Sequence, residues 1–335
     1  MFCHAMFNVI LQNILRLTKS SSDKDIQTSS DYLRDKNTPE KAFNYRSNII
    51  SLYGAFEHFV EELEKEYMGE LLSISNSFSG LNDCIKSVYL SKWKDLSSRL
   101  SYAKFSHITE RQLISTLYDS FIQDKASVLP ECFLPNGGNY KHCIVSSLFK
   151  SLGLTDIDSK FPIYPPISNW LQNNGLSDKN SDDQFEVLND LVERRNEIAH
   201  GSESVSLLSD QNIIDISEFI KNYSLSLNSF LQDSLLSVIW TNMSSDKIRP
   251  VHIYKHAIAV FHISNIQVQV GEQIILMRPK GVYPKYSYVK VLEIHKEESG
   301  LIEKVDNIST SGKELVISIE FSEQISESTS FKFRT

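Results

Sequence analysis

Leu191-Val192-Glu193-Arg194-Arg195-Asn196-Glu197-Ile198-Ala199-His200-Gly201 reads as the last turns of an amphipathic helix that stops at a glycine. Leu188, Leu191, Val192 and Ile198 recur at helical spacing and form one apolar face. Gly201 stands where a helix end calls for a residue in the left-handed conformation. The opposite face carries Arg194, Arg195, Asn196, Glu197 and His200. Asn196 and His200 are one turn apart and share a side. Arg195 lies over the same end with its long side chain. A guanidinium that is always charged and an imidazole, a group that titrates near neutrality, can act together on a phosphate.

Working back from this stretch, a long helix is predicted from Pro39, a residue suited to a first helical turn. Phe43, Ile49, Ile50, Leu52, Phe56, Phe59, Val60, Leu63, Tyr67 and Leu71 keep the helical period. Its polar face is expected to carry Glu57, Glu61, Glu62, Glu64 and Lys65. Glu57 reads either as reaching an active site or as a solvated, core-edge carboxylate. Leu81 to Leu100 reads as helix. Thr109 opens another, with Leu113, Leu117, Phe121 and Ile122 as its apolar stripe. Lys141 to Leu152 is predicted helical, ending at Gly153. Phe161-Pro162-Ile163-Tyr164-Pro165-Pro166 is expected to be an extended connector. A short helix at Trp170 and Leu171 follows, then a polar loop from Ser177 to Asp183 and the motif helix from Gln184. Ser209 is a good N-cap for a last long helix through Ile213, Ile216, Ile220, Tyr223 and Leu227 to about Trp240. Long helices beside the motif helix predict a bundle.

Near Ser244 the period changes. Val251–Tyr254, Ala257–Phe261, Gln273–Met277, Tyr288–Ile294 and Leu315–Ile319 read as strands, with turns at Val270-Gly271-Glu272 and Ser299-Gly300. This predicts a small all-β barrel. The fold class is thus mainly α, a helical bundle over 39–243 followed by a smaller barrel over 250–335. Residues 1–38 are read as a short amphipathic helix at 2–17 and a polar link at 18–31.

The 335 residues suffice for two domains, and 41% hydrophobic with 23% charged residues is ordinary for a soluble protein. The net charge of −8 excludes a globally basic nucleic-acid surface but leaves room for a local groove. The charge is uneven, because Lys+Arg and Asp+Glu balance within 250–335. Cys3, Cys84, Cys132 and Cys143 lack paired spacing and read as free thiols of a reducing cytoplasm. Cys132, His142 and Cys143 suggest no fourth ligand, so neither a metal nor a cofactor is expected. The segment 2–17 is too short and too polar for a membrane span and lacks the flanks of a signal peptide. A cytoplasmic protein without a membrane partner is expected.

Arg195-Asn196-Glu197-Ile198-Ala199-His200 resembles the signature of the HEPN superfamily, an Arg, a polar residue, spacers and a His. Asn139-Tyr140-Lys141 with Leu148-Phe149-Lys150-Ser151-Leu152-Gly153-Leu154 resembles the segment before that motif in the extended, RiboL-PSP-like subgroup. Tyr45-Arg46-Ser47 through Phe56-Glu57-His58-Phe59 resembles that subgroup's first long helix. The resemblance covers roughly 40–240. It implies a dimerising helical domain and metal-independent cleavage of RNA. It casts Arg195 as the phosphate ligand, His200 as the proton-transfer group, and Asn196 as orienting His200 or binding a phosphate oxygen. It also implies that a second copy completes the site. The expected partners are RNA, a second copy of the chain, and an antitoxin or defence-system protein. The expected function is an endoribonuclease of defence or toxin–antitoxin type. The alternative is a non-catalytic dimer that binds RNA or protein, in which His200 only satisfies helix-end carbonyls and Arg195 pairs with Glu193 or Glu197.

Ile258-Ala259-Val260 with Val270-Gly271-Glu272-Gln273-Ile274, and the strand Val289–Ile294, resemble the second, β-barrel domain of translation factors. Glu272 stands where those domains often have Asp. Within this region Arg278, Lys280, Tyr283, Lys285, Tyr286 and Lys290 mix cations with aromatic rings. That mixture suits single-stranded RNA, by phosphate contact and base stacking. It equally suits a solvated hairpin whose tyrosines brace the barrel. His252, His256 and His262 form no zinc motif.

Overall fold

The computed structural model describes residues 39–201, 206–264, 266–298, 301–310 and 315–333. The amphipathic helix expected at 2–17, the link after it and the turn at Ser299-Gly300 lie outside the described residues. The chain divides into two compact units between Asn228 and Ser229. The first is helical. Its elements are α1 (Pro39–Ile74), α2 (Asp83–Arg99), α3 (Glu110–Phe121), α4 (His142–Ser151), α5 (Ile157–Lys160), α6 (Ile167–Asn173), α7 (Ser181–Gln184), α8 (Glu186–Ala199) and the start of α9 (Asp210–Asn242).

Local chemistry sets most of these ends. Thr109 and Gln112 form a reciprocal capping box that starts α3. Asn82 caps α2, and the Ser209 hydroxyl accepts from the Asn212 N–H at the start of α9. Gly201 has φ +72°, the left-handed conformation expected after the motif helix, now α8. The connector at 161–166 is not extended: Phe161–Ile163 forms a 3-10 turn, with Pro162 inside its first turn and Phe161 fully buried. Ser181–Gln184, expected as loop, is a short helix whose Asn180 cap accepts from Asp183 N–H.

The apolar stripe of α1 is buried from Ile49 to Leu71, but two residues expected in it, Phe43 and Ile50, are exposed, and its polar face is not uniformly wet. Glu61 is 9% exposed and Glu64 is 0% exposed. Neither Glu64 oxygen has a hydrogen-bond partner among the described residues. Burial, and then the charge of Glu131, hold its carboxyl well above the usual range. Helical periodicity places Glu64 at the edge of the apolar stripe, and packing of the surrounding helices closes over it. Of the stripe expected on α3, Leu113 is buried and Leu117 half-buried, whereas Phe121 and Ile122 are exposed. The largest interior feature is aromatic. His142 stacks on Phe185 with ring centroids 3.8 Å apart, and its Nδ1 lies 2.9 Å from the Tyr223 hydroxyl. Burial pushes this imidazole down to about 4. His142 is therefore a core residue, while Cys143 beside it is exposed.

The second unit holds the end of α9 and an antiparallel sheet in the order β1-β2-β8-β5-β4-β9, with β6 on β5 and a separate β3–β7 pair. The strands are β1 (His252–Tyr254), β2 (Ile258–Ile263), β3 (Gln267–Gln269), β4 (Gln273–Met277), β5 (Tyr286–Glu298), β6 (Leu301–Val305), β7 (Asn307–Ser309), β8 (Leu315–Phe321) and β9 (Ser330–Lys332). The sheet curls into a half-barrel. Ile248 exchanges backbone bonds of 2.9 and 2.8 Å with Phe331 of β9, just before the chain enters β1 at the other edge. Ala259, Phe261, Val291, Ile294, Ile317 and Ile319 fill the inside. Period-2 patterning locates the longer strands. The short β3, β7 and β9 carry too few residues to show it. Within this unit Leu236 and Trp240 of α9 pack on Ile275. Asp233, 5% exposed, accepts the Lys285 N–H at 3.1 Å and the Tyr286 N–H at 2.5 Å.

Asp233→Ala would leave those two N–H groups without acceptors. It is expected to destabilise the second unit by about 1–3 kcal/mol and to open the chain near 278–287 to protease. Thermal unfolding followed by limited proteolysis reads both, and an unchanged melting temperature contradicts this account.

Candidate RNA-cleavage site

Tyr53 of α1 is 1% exposed. The Arg195 guanidinium lies over its ring, 4.9 Å from the centroid. A side-chain bond of 3.0 Å from Arg195 to Asn196 Oδ1 fixes the other side of the fork. Asn196 thus orients Arg195 and not His200, whose backbone N–H bonds the Asn196 carbonyl at 2.9 Å as part of the helix end. Among the described residues no ion pair engages Arg195. Glu193 instead pairs with Lys141. The two adjacent arginines therefore differ in kind. Arg194 is committed to Asp190 at 2.7 Å, to the Tyr45 hydroxyl at 3.1 Å and to the Ser206 carbonyl at 3.0 Å. Arg195 is half-buried with a free edge, and the His200 side chain is exposed where α8 ends.

The loop before α4 closes on the same side of α1. Tyr140 N–H donates to the Tyr53 hydroxyl at 3.1 Å, and the Tyr140 hydroxyl donates to Glu61 Oε1 at 2.7 Å. Lys104 also reaches Glu61. His142 N–H bonds Asn189 Oδ1 of α8 at 3.3 Å. The loop is thus tied to both helices that carry the site. Burial pushes the Tyr53 hydroxyl up to about 12, with Glu57 adding to the rise and the Tyr140 N–H and Arg195 opposing it. Burial, then Glu61, raises the Glu57 carboxyl, against the pull of Lys104 and Arg195. Burial and Glu61 likewise raise Tyr140.

Sequence reasoning singled out Arg195, Asn196 and His200, and left Glu57 open between two readings. It missed Tyr53 and Tyr140 as site-building residues. The signal for Tyr53 was its spacing one turn before Glu57. No local pattern announces that a tyrosine in a core stripe will carry an arginine.

In the second unit the six residues from Arg278 to Lys290 do not act alike. Arg278 is used internally, bonding the Pro284 carbonyl at 3.1 Å, Ser287 Oγ at 2.8 Å and Glu323 at 2.7 Å. Tyr286 packs against Trp240 at 5.7 Å, and the Lys285 ammonium lies 5.3 Å from the Tyr286 ring. Tyr283 is half-buried, whereas Lys280, Lys285 and Lys290 are exposed.

No helix of the described residues is long and apolar enough to cross a membrane. No curated protein matches the chain. The RiboL-PSP-HEPN family matches residues 17–233, more than half of the 335 and all of the elements that build the Arg195–His200 site. By that match the chain belongs to the RiboL-PSP-HEPN family.

Proposed function

We propose that the protein is a metal-independent endoribonuclease of defence or toxin–antitoxin type. Its Arg195, Asn196 and His200 act at a composite site formed by two copies of the chain. The observation that carries this reading is the contrast between the two arginines. Arg194 is consumed by structure, whereas Arg195 is oriented by Tyr53 and Asn196 with no carboxylate of the described residues bound to it. A guanidinium held this way presents its fork to a phosphate.

In the reaction the ribose 2′-oxygen attacks phosphorus and the bond to the 5′-oxygen breaks. Arg195 stabilises the charge that grows on the phosphoryl oxygens. His200, exposed one turn beyond Asn196, exchanges a proton with a reacting oxygen. Each chain carries one such pair, and two-fold pairing of α8 helices brings the second copy's pair to the same phosphate. The exposed lysines of the second unit, Lys280, Lys285 and Lys290, offer a separate electrostatic hold on RNA.

Three outcomes are expected. Purified protein is expected to cleave total RNA in EDTA, leaving 2′,3′-cyclic phosphate ends. His200→Ala is expected to abolish cleavage with an unchanged melting temperature, and Arg195→Lys to lose roughly 10²-fold or more because the charge survives but the fork does not. Products with 5′-phosphates formed only with Mg²⁺ contradict the mechanism.

Sedimentation at micromolar concentration is expected to give twice the 38.3 kDa chain mass. A monomer contradicts the composite site.

Changing Lys280, Lys285 and Lys290 together to Ser is expected to weaken RNA binding. It should also flatten the log–log salt dependence by roughly 2, given about 0.7 released counterions per contact on a single strand. Unchanged affinity shows that this strip does not hold RNA.

A further inference from the structure

Glu57 and Glu61 lie one turn apart on α1, but only one of them is occupied. Tyr140 and Lys104 both bond Glu61. Among the described residues the Glu57 carboxyl makes no hydrogen bond and no ion pair. It is half-buried, and it lies one turn from the Tyr53 ring that carries Arg195. The loop backbone closes on it: a methyl group built on Gly138 would come 2.5 Å from Glu57 Oε1 and 3.3 Å from its carboxyl carbon. The charged and titratable groups facing Glu57 are Glu61 and Tyr53 of its own helix, Lys104 of the turn Ala103–Phe105, Tyr140 of the loop before α4, and Arg195 of α8. Tyr53, Glu61, Lys104 and Tyr140 are hydrogen-bonded within this set, and Arg195 is bonded to Asn196. A carboxylate left open beside an arginine fork is an acceptor waiting for a donor from outside.

We propose that Glu57 is the proton acceptor for the 2′-hydroxyl of the RNA bound at Arg195. The proposal rests on the ribonuclease reading and adds the second proton-transfer group. As the 2′-oxygen bonds to phosphorus, its proton passes to the Glu57 carboxylate. As the bond from phosphorus to the 5′-oxygen breaks, the protonated His200 imidazole supplies the proton to that oxygen. No oxidant or co-reactant is required, and the product is the 2′,3′-cyclic phosphate. Acid and base are then of different chemical types, one on α1 and one at the end of α8. The raised carboxyl makes Glu57 a stronger base than an exposed glutamate.

The test is the pH–rate profile of cleavage by the full-length protein, with wild type, Glu57→Gln and Glu57→Asp compared. A general base must be deprotonated, so wild-type rates should fall as pH drops through the Glu57 value, giving an acidic limb. Glu57→Gln keeps the shape beside Gly138. It is expected to lose roughly 10²- to 10⁴-fold in rate and to lose that limb, with the melting temperature and RNA affinity unchanged. Glu57→Asp is expected to retain the limb at a lower rate. An unchanged rate in Glu57→Gln overturns the proposal, and so does a lowered rate with the limb intact, since that is the mark of a structural role. Wild-type protein that fails to cleave overturns the ribonuclease reading and this role with it. Cleavage that needs His200 but not Glu57 overturns this role alone.

Discussion

Arg195 is held against the Tyr53 ring, and the hydroxyl of the same tyrosine takes the Tyr140 N–H. A single buried side chain therefore links α1, α8 and the loop before α4. Burial makes the link rigid, because a tyrosine with 1% exposure has one rotamer available to it. A guanidinium on a solvated helix end would sample many orientations and pay the entropy of ordering when a phosphate arrives. Here most of that ordering is done by folding. The same arrangement explains why the loop matters although it carries no obvious catalytic group. Tyr140 sets the Tyr53 hydroxyl and occupies Glu61, so it fixes both the platform and the pattern of free and bound carboxylates.

Much of this architecture is legible in the sequence because it follows from local rules. The apolar period of α1 and α8, the Thr109 capping box and the left-handed Gly201 each depend on residues within a few positions of one another. What was not legible depends on distant pairings. Asn196 looks like a partner for His200 on helical spacing, yet its side chain turns to the neighbouring Arg195. Glu64 reads as polar surface until other helices cover it. The β1–β2 connection turns through Lys255 and His256, both with positive φ of 50° and 56°. Neither residue is a usual choice there, so the tight hairpin has no sequence signal.

The strip from Arg278 to Lys290 shows the limit of composition as a guide to binding. Its arginine is the residue type most suited to phosphate, but here it braces a hairpin through Pro284, Ser287 and Glu323. Its charge is already answered by a carboxylate. The lysines, chemically the weaker ligands, are the ones left in solvent. Asp233 of α9 holds the backbone of the same strip by two N–H groups, so the end of the long helix belongs structurally to the sheet.

Two buried ionisable groups of the helical unit, Glu64 and His142, have opposite proton demands. Unfolded, a glutamate ionises above about 4.5 and a histidine is protonated below about 6.5. Folded, Glu64 keeps its proton well past its ordinary value, and His142 gives its proton up until about 4. Folding therefore favours the protonated carboxyl and the neutral imidazole. Falling pH weakens the fold through His142 and strengthens it through Glu64, so the two contributions to the pH dependence oppose each other. The helical unit thus holds two groups, one buried in α1 and one in α4, whose responses to acid run in opposite directions.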